Sequence, residues 1–171
     1  ESDPARLIAE RVLRRYPNVD ARLIVGDVKA GLNPKVNNMI RSCDSAKFEL
    51  LLISDSNVIA KKDYLQRMVS QLTDKIGVIT AAVAGVHPNK LGGYLESVYL
   101  NTFYARGLHL AFAFGKPCVI GKSMLFRKKH LEKMGGMRSL AGYLAEDYVI
   151  GEEINKMGLK VHLMIDPVDQ Y

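Results

Sequence analysis

Tryptophan is absent from this 171-residue chain, and cysteine occurs only at Cys43 and Cys118. Two thiols close one bridge at most, which excludes a disulfide-stapled scaffold and fits a reducing compartment where both are small buried apolar residues. No run approaches the roughly 18 uninterrupted apolar residues of a membrane span. The most apolar stretch, LHLAFAFGKPCVIG, is broken by His109, Gly115, Lys116 and Pro117. With 14 glycines and 6 prolines the chain is not collagen-like or low-complexity, and 48% hydrophobic content excludes disorder. A Walker sequence and a GxGxxG fingerprint are both missing. His87, His109, His130 and His162 lack the spacing of a zinc site. The 24 basic residues exceed the 18 acidic ones, for a net charge of +6, yet no basic–aromatic interleaving points to nucleic acid. The clusters Arg11, Arg14, Arg15 and Arg127, Lys128, Lys129, Lys133 read as solvated faces, with anionic lipid headgroups the alternative partner.

What is present is an alternation of helical and strand patterns. Asp3-Pro4 caps a helix to about Tyr16, and Asn33-Pro34 opens another to about Asp44. Residues 61–74, 91–110, 127–134 and 145–158 also carry helical spacing. Strand patterns fall at ARLIV (21–25), ELLLIS (49–54), IGVITAAV (76–83), PCVIGKSMLFR (117–127) and LKVHLMI (159–165). ELLLIS is continuous enough for burial on both faces. The alternation predicts an α/β sandwich with a mainly parallel sheet, in one domain over 1–171. The chain begins at Glu1 without a signal peptide and stops in the loop-like Asp166-Pro167-Val168-Asp169-Gln170-Tyr171. It is therefore read as an excerpt of a longer protein.

Ligands in such folds bind beyond the carboxyl ends of the strands, which directs attention to three constellations. Asp55 and Asn57 follow ELLLIS at a spacing that projects both to one side of extended chain. Their hard oxygens suit Mg²⁺ or Mn²⁺ on a diphosphate, and an Asx-turn ending the strand meets the same spacing. Glu146 and Asp147 open a helix, where acids complement the dipole. Asp147 could equally act as a general base, with Glu146 as a like charge raising its pKa. Gly31-Leu32-Asn33-Pro34-Lys35-Val36-Asn37-Asn38 is a glycine turn into a helix N-terminus, suited to an anion or simply to a well-capped surface helix. Residues 103–114 (FYARGLHLAFAF) read either as a core helix running into a buried turn or as a route for a lipid acceptor.

The runs YPNVDAR (16–22), GLNPKVNN (31–38), DSN (55–57), CVIGKSMLFRK (118–128) and GYLAEDY (142–148) share one order and spacing. Together they resemble the ceramide glucosyltransferase family (glycosyltransferase family 21) and its bacterial relatives acting on hopanoid or other lipids. The resemblance implies a GT-A fold, truncated here at both ends, and an inverting transfer of glucose from UDP-glucose to the primary hydroxyl of ceramide or a similar lipid. By the same resemblance, Asp147 is the base, Asp55 and Asn57 lie at the metal–diphosphate site, and Lys35, Asn37, Gly121 and Ser123 contact the donor. It further implies a divalent cation, Mn²⁺ or Mg²⁺, and a full-length protein held in the Golgi or bacterial inner membrane with this domain facing the cytoplasm. A first signature aspartate and an opening strand are expected before Glu1, and a Gln/Arg-x-x-Arg-Trp motif after Tyr171. The excerpt alone is expected to be inactive. The alternatives are a UDP-N-acetylglucosamine-dependent transferase acting on a hopanoid-like lipid, and a nucleotide-sugar-binding module.

Overall fold

The computed structural model describes residues 3–171. Asp3 accepts a hydrogen bond from the Ala5 amide at 2.9 Å, and Pro4 begins α1 (Pro4–Arg15). Asn33 and Pro34 repeat this device at α2 (Pro34–Asp44), where the Asn33 side chain accepts from the Val36 amide. The chain continues through β1 (Leu50–Ser54), β2 (Val58–Ile59), α3 (Tyr64–Ser70) and β3 (Ile76–Gly85). One uninterrupted helix then comprises α4 (Leu91–Tyr99), a π-helical turn (Leu100–Tyr104) and α5 (Ala105–Ala113). β4 (Ser123–Arg127), α6 (Lys128–Lys133), a 3₁₀ turn (Met137–Leu140), α7 (Glu146–Lys156) and β5 (Lys160–Gln170) complete the order.

The five strands form one sheet in the order β1-β4-β3-β5-β2, and side-chain alternation along them feeds two cores. Met124 and Phe126 pack on one face with Val36, Ile40, Leu131, Ile150 and Ile154 from α2, α6 and α7. Leu125 faces the other way, joining Tyr64, Met68, Leu108 and Met164. This is the α/β sandwich that the alternation predicts.

The mainly parallel pairing is corrected. β1, β3 and β5 do run in one direction, but β2 and β4 oppose them, and among the described residues only β3 and β5 pair in parallel. The reason lies in the route of the chain. After α5 it returns to the edge where β1 and β3 end, so β4 must run back between them, with Ser123 opposite Ser54.

Several boundaries also move. ARLIV forms no strand, because among the described residues it has no ladder partner; Arg22 and the Val25 carbonyl bond instead to Ser45 and Arg41. β1 is an edge strand with alternating burial rather than a doubly buried one, leaving Leu52 37% exposed. Residues 117–122 are a loop pinned by Thr80, whose hydroxyl bonds both the amide and the carbonyl of Ile120. At the other end β5 runs through Pro167 to Gln170, because its register slips between the Ala81 and Val83 pairs. A proline is tolerated where the ladder is already interrupted.

Candidate active site

The reversal of β4 brings Gly121 and Lys122 to the end of β1, where the Asp55 amide donates to the Lys122 carbonyl at 2.9 Å. Two helix N-termini meet the same edge. Asn33, capping α2, donates from Nδ2 to the Tyr143 carbonyl (2.8 Å) and to Glu146 Oε2 (2.9 Å) in the first turn of α7. The glycine turn before α2 is pressed against the 3₁₀ segment so closely that a Cβ on Gly31 would stand 2.3 Å from the Ala141 carbonyl oxygen. Such contact with backbone leaves room for glycine alone.

Lys35 is the hub. Its Nζ lies 3.0 Å from Glu146 Oε1 and 3.2 Å from Asp55 Oδ1, and donates to the Gly121 carbonyl at 2.9 Å. A cation in the first turn of a helix opposes the helix dipole. Burial also works against its charge, but the paired Glu146 and Asp55 carboxylates outweigh it and hold the ammonium above the ordinary lysine range. Lys122 approaches the second oxygen of Asp55 at 3.7 Å and donates to Asn57 Oδ1 at 3.3 Å. Lys35, Lys122, Asp55 and Asn57 thus line an open groove of about 560 Å³.

Asp147 lies across Gly121 from this groove. Its Oδ2 accepts from the Gly121 amide at 2.7 Å, and its Oδ1 from the Tyr148 amide at 2.8 Å. A Cβ on Gly121 would stand 2.9 Å from both Asp147 Oδ2 and Lys35 Nζ, so little more than a methyl-sized volume separates carboxylate and ammonium. Tyr104 packs against the second core. Burial, then the neighbouring Cys118, Asp147 and Tyr99, push its phenol up to about 12.

The profile of Glycosyl transferase family 21 matches residues 1–171. The chain belongs to glycosyltransferase family 21. It is 31% identical to a protein named ceramide glucosyltransferase 3 from Caenorhabditis elegans, over 98% of this chain and 37% of that relative. It is 28% identical to ceramide glucosyltransferase 1 of the same organism, over 99% of this chain and 37% of the relative. A ceramide glucosyltransferase from Komagataella phaffii is 30% identical over 77% of this chain and 30% of its own length. The chain therefore spans about 37% of the first two relatives.

Of the residues that the sequence nominates in this family 21 chain, Lys35, Asp55, Asn57, Gly121 and Asp147 come together. Two do not. Asn37 is buried with its amide bonded to the backbone of Ala30 and Gly31, which shapes the turn. Ser123 is fully buried, its hydroxyl 2.7 Å from that of Tyr64 inside the second core. Glu146 is directed to Lys35 and Asn33 rather than to Asp147, so it serves as the lysine's counterion. Lys122 and Asn33 are additions. Lys122 stands inside the CVIGKSMLFRK run, and an asparagine cap always leaves an amide nitrogen free to donate elsewhere. Among the described residues, no three His, Cys, Asp or Glu side chains gather as a metal cage.

Proposed function

We propose that this chain carries the diphosphate-side and base residues of an inverting transferase that moves glucose from UDP-glucose to the primary hydroxyl of ceramide or a similar lipid. The reading rests chiefly on the chain of contacts Asp55–Lys35–Gly121–Asp147. Lys35 pairs with Asp55 and bonds the Gly121 carbonyl, while the Gly121 amide bonds Asp147, so that one lysine and one glycine link a carboxylate facing an open groove to a carboxylate suited to a base. In this scheme Asp147 accepts the proton of the lipid hydroxyl, whose oxygen attacks the anomeric carbon on the face opposite the departing UDP. An α-linked donor then yields a β-glycoside. The Gly121 and Tyr148 amides, one on each oxygen, fix the orientation of the Asp147 carboxylate. Lys35 and Lys122 lie where the groove would receive a diphosphate, and their charge favours its binding.

A divalent cation fits the donor set in part. Asp55 and Asn57 offer one carboxylate and one amide oxygen, and Mg²⁺ or Mn²⁺ is commonly held by one or two carboxylates together with substrate phosphates and water. When bound, such a cation supplies neutralisation of the charge that gathers on the leaving diphosphate. The full-length protein, in this reading, is held at a membrane with the catalytic domain on the cytoplasmic side.

Asp147→Asn in the full-length protein is the test. Transfer to a ceramide acceptor should fall by about 10²–10⁴-fold, while UDP-glucose binding survives. Unchanged turnover removes Asp147 from its role. A donor-by-acceptor product screen separates UDP-glucose and ceramide from UDP-N-acetylglucosamine and a hopanoid-like lipid.

A further inference from the structure

The helix Leu91–Ala113 turns its bulk the wrong way for a core helix. Its inner side is small where it meets the sheet. A Cβ on Gly85 at the end of β3 would stand 2.6 Å from the Ser97 Cα, so strand and helix backbones nearly touch. Asn101 locks the approach by bonding both the amide and the carbonyl of Gly85 at 2.9 Å. The outer side carries Leu91, Leu95, Val98, Phe103, Leu110 and Phe114, which are 56–79% exposed.

The π-helical turn explains how these residues form one stripe. An unbroken α-helix would carry the phase of Leu91, Leu95 and Val98 on to residue 102, which is Thr102. A π turn accommodates one extra residue, so Phe103 takes that place, and Arg106, Leu110 and Phe114 follow in phase. The irregular turn therefore joins two apolar segments into a single face. Tyr99 and Phe103 stack across it with ring centroids 5.8 Å apart.

Charge chooses the occupant. Lys90, Arg106 and Lys116 are exposed at the start, middle and end of the stripe. Glu96, the only acid between them, is bonded to Gln170 at the strand edge. Yet no helix among the described residues is long and apolar enough to cross a membrane. A large apolar face with interspersed cations and no opposing acid matches helices that lie in the plane of an anionic bilayer surface.

We infer that Leu91–Phe114 is an in-plane membrane-docking helix, seated on anionic lipid through its Leu95–Phe103–Leu110 face. Its inner side carries Tyr104 into the second core, against the sheet that also positions the proposed site. The inference deepens the lipid-acceptor reading, but its test measures binding and not transfer, so the two can fail separately.

The experiment uses the Phe103→Cys variant of this chain, shown folded by circular dichroism, with a polarity-sensitive fluorophore attached at that position. The vesicles are phosphatidylcholine with or without phosphatidylserine. The emission should shift to the blue and be quenched by brominated acyl chains on phosphatidylserine vesicles, and binding should weaken about tenfold or more without that lipid or at high salt. Leu95→Glu and Leu110→Glu should each weaken binding comparably while leaving the circular dichroism unchanged, since both side chains are solvent-exposed. The proposal is overturned if the folded chain ignores anionic vesicles, if the glutamate variants bind as well as the parent, or if the fluorophore is buried by self-association before vesicles are added.

Discussion

α2 and α4 reverse the usual relation between composition and burial. α2 contains Lys35, Asn37, Asn38, Arg41 and Asp44, yet buries Val36, Asn37, Ile40 and Cys43. α4 contains Leu91, Tyr94, Leu95, Val98 and Tyr99 and buries nothing. The difference lies in what the inward side must meet. α2 faces a layer of large strand residues, Met124 and Phe126 among them, and fills it with a stripe at i, i+4 and i+7. α4 meets the bare backbone of Gly85, where only small residues fit, and its large side chains are left outside. Hydrophobicity alone does not say inward. It says that something apolar is to be covered, by the protein's own core in one helix and by a lipid surface, on our reading, in the other.

The sharpest way to break this contrast is to truncate one aliphatic residue in each helix. Ile40→Ala in α2, fully buried, should cost about 2–5 kcal/mol in urea unfolding. Leu95→Ala in α4, 63% exposed, should stay within about 0.5 kcal/mol. Equal losses would mean that α4 is packed after all. The polar side of α2 comes next. Lys35→Ala strands the Glu146 carboxylate, 5% exposed, with Asn33 as its remaining partner. Because Lys35 itself is partly solvated, the expected cost is about 2–3 kcal/mol, toward the lower end for a broken buried pair. Adding Glu146→Gln should recover part of the loss, and a double-mutant cycle measures how much.

The smallest effect concerns acid. His130 in α6 is buried on the same side of the sheet as α2, with Nδ1 3.2 Å from the Gly77 carbonyl. Burial, and then the nearby Lys129, Arg127 and Lys133, lower its pKa despite the opposing carbonyl. The unfolded chain therefore binds the proton more readily. Stability from this group is complete above about pH 6.5, the unfolded value, and is lost as pH falls through the depressed folded value. Urea midpoints near pH 7 and pH 5 should differ less in His130→Gln than in the parent chain.

The class of fold was legible because α/β alternation is written in local periodicity: the i, i+4, i+7 stripe of α2 and the unbroken run of β3 need no tertiary information. The direction of β4 was not. Whether CVIGKSMLFR runs with or against its neighbours depends on where the preceding helix delivers the chain, and no local pattern encodes that. ARLIV illustrates the converse, since its propensity suits a strand but a strand also needs a neighbour to bond. At the site, Asp55, Asn57, Lys35 and Asp147 were legible as candidates because chemistry-bearing residues stand at element ends, whereas Gly121 entered only through the family resemblance. Asn37 and Ser123 occur in the same motifs but hold the scaffold, because a motif records which residues occur together and not which way each side chain points. Lys122 was passed over for the same reason.

Whether Asp55 and Asp147 serve one site is best decided by rates of glucose transfer in the full-length protein for Asp55→Asn, Asp147→Asn and the double variant. Groups that act as a unit lose rate non-additively. We expect the double variant to be no slower than the worse single one; losses that simply multiply, or a full rate in either single variant, would contradict a shared site built around Lys35 and Gly121.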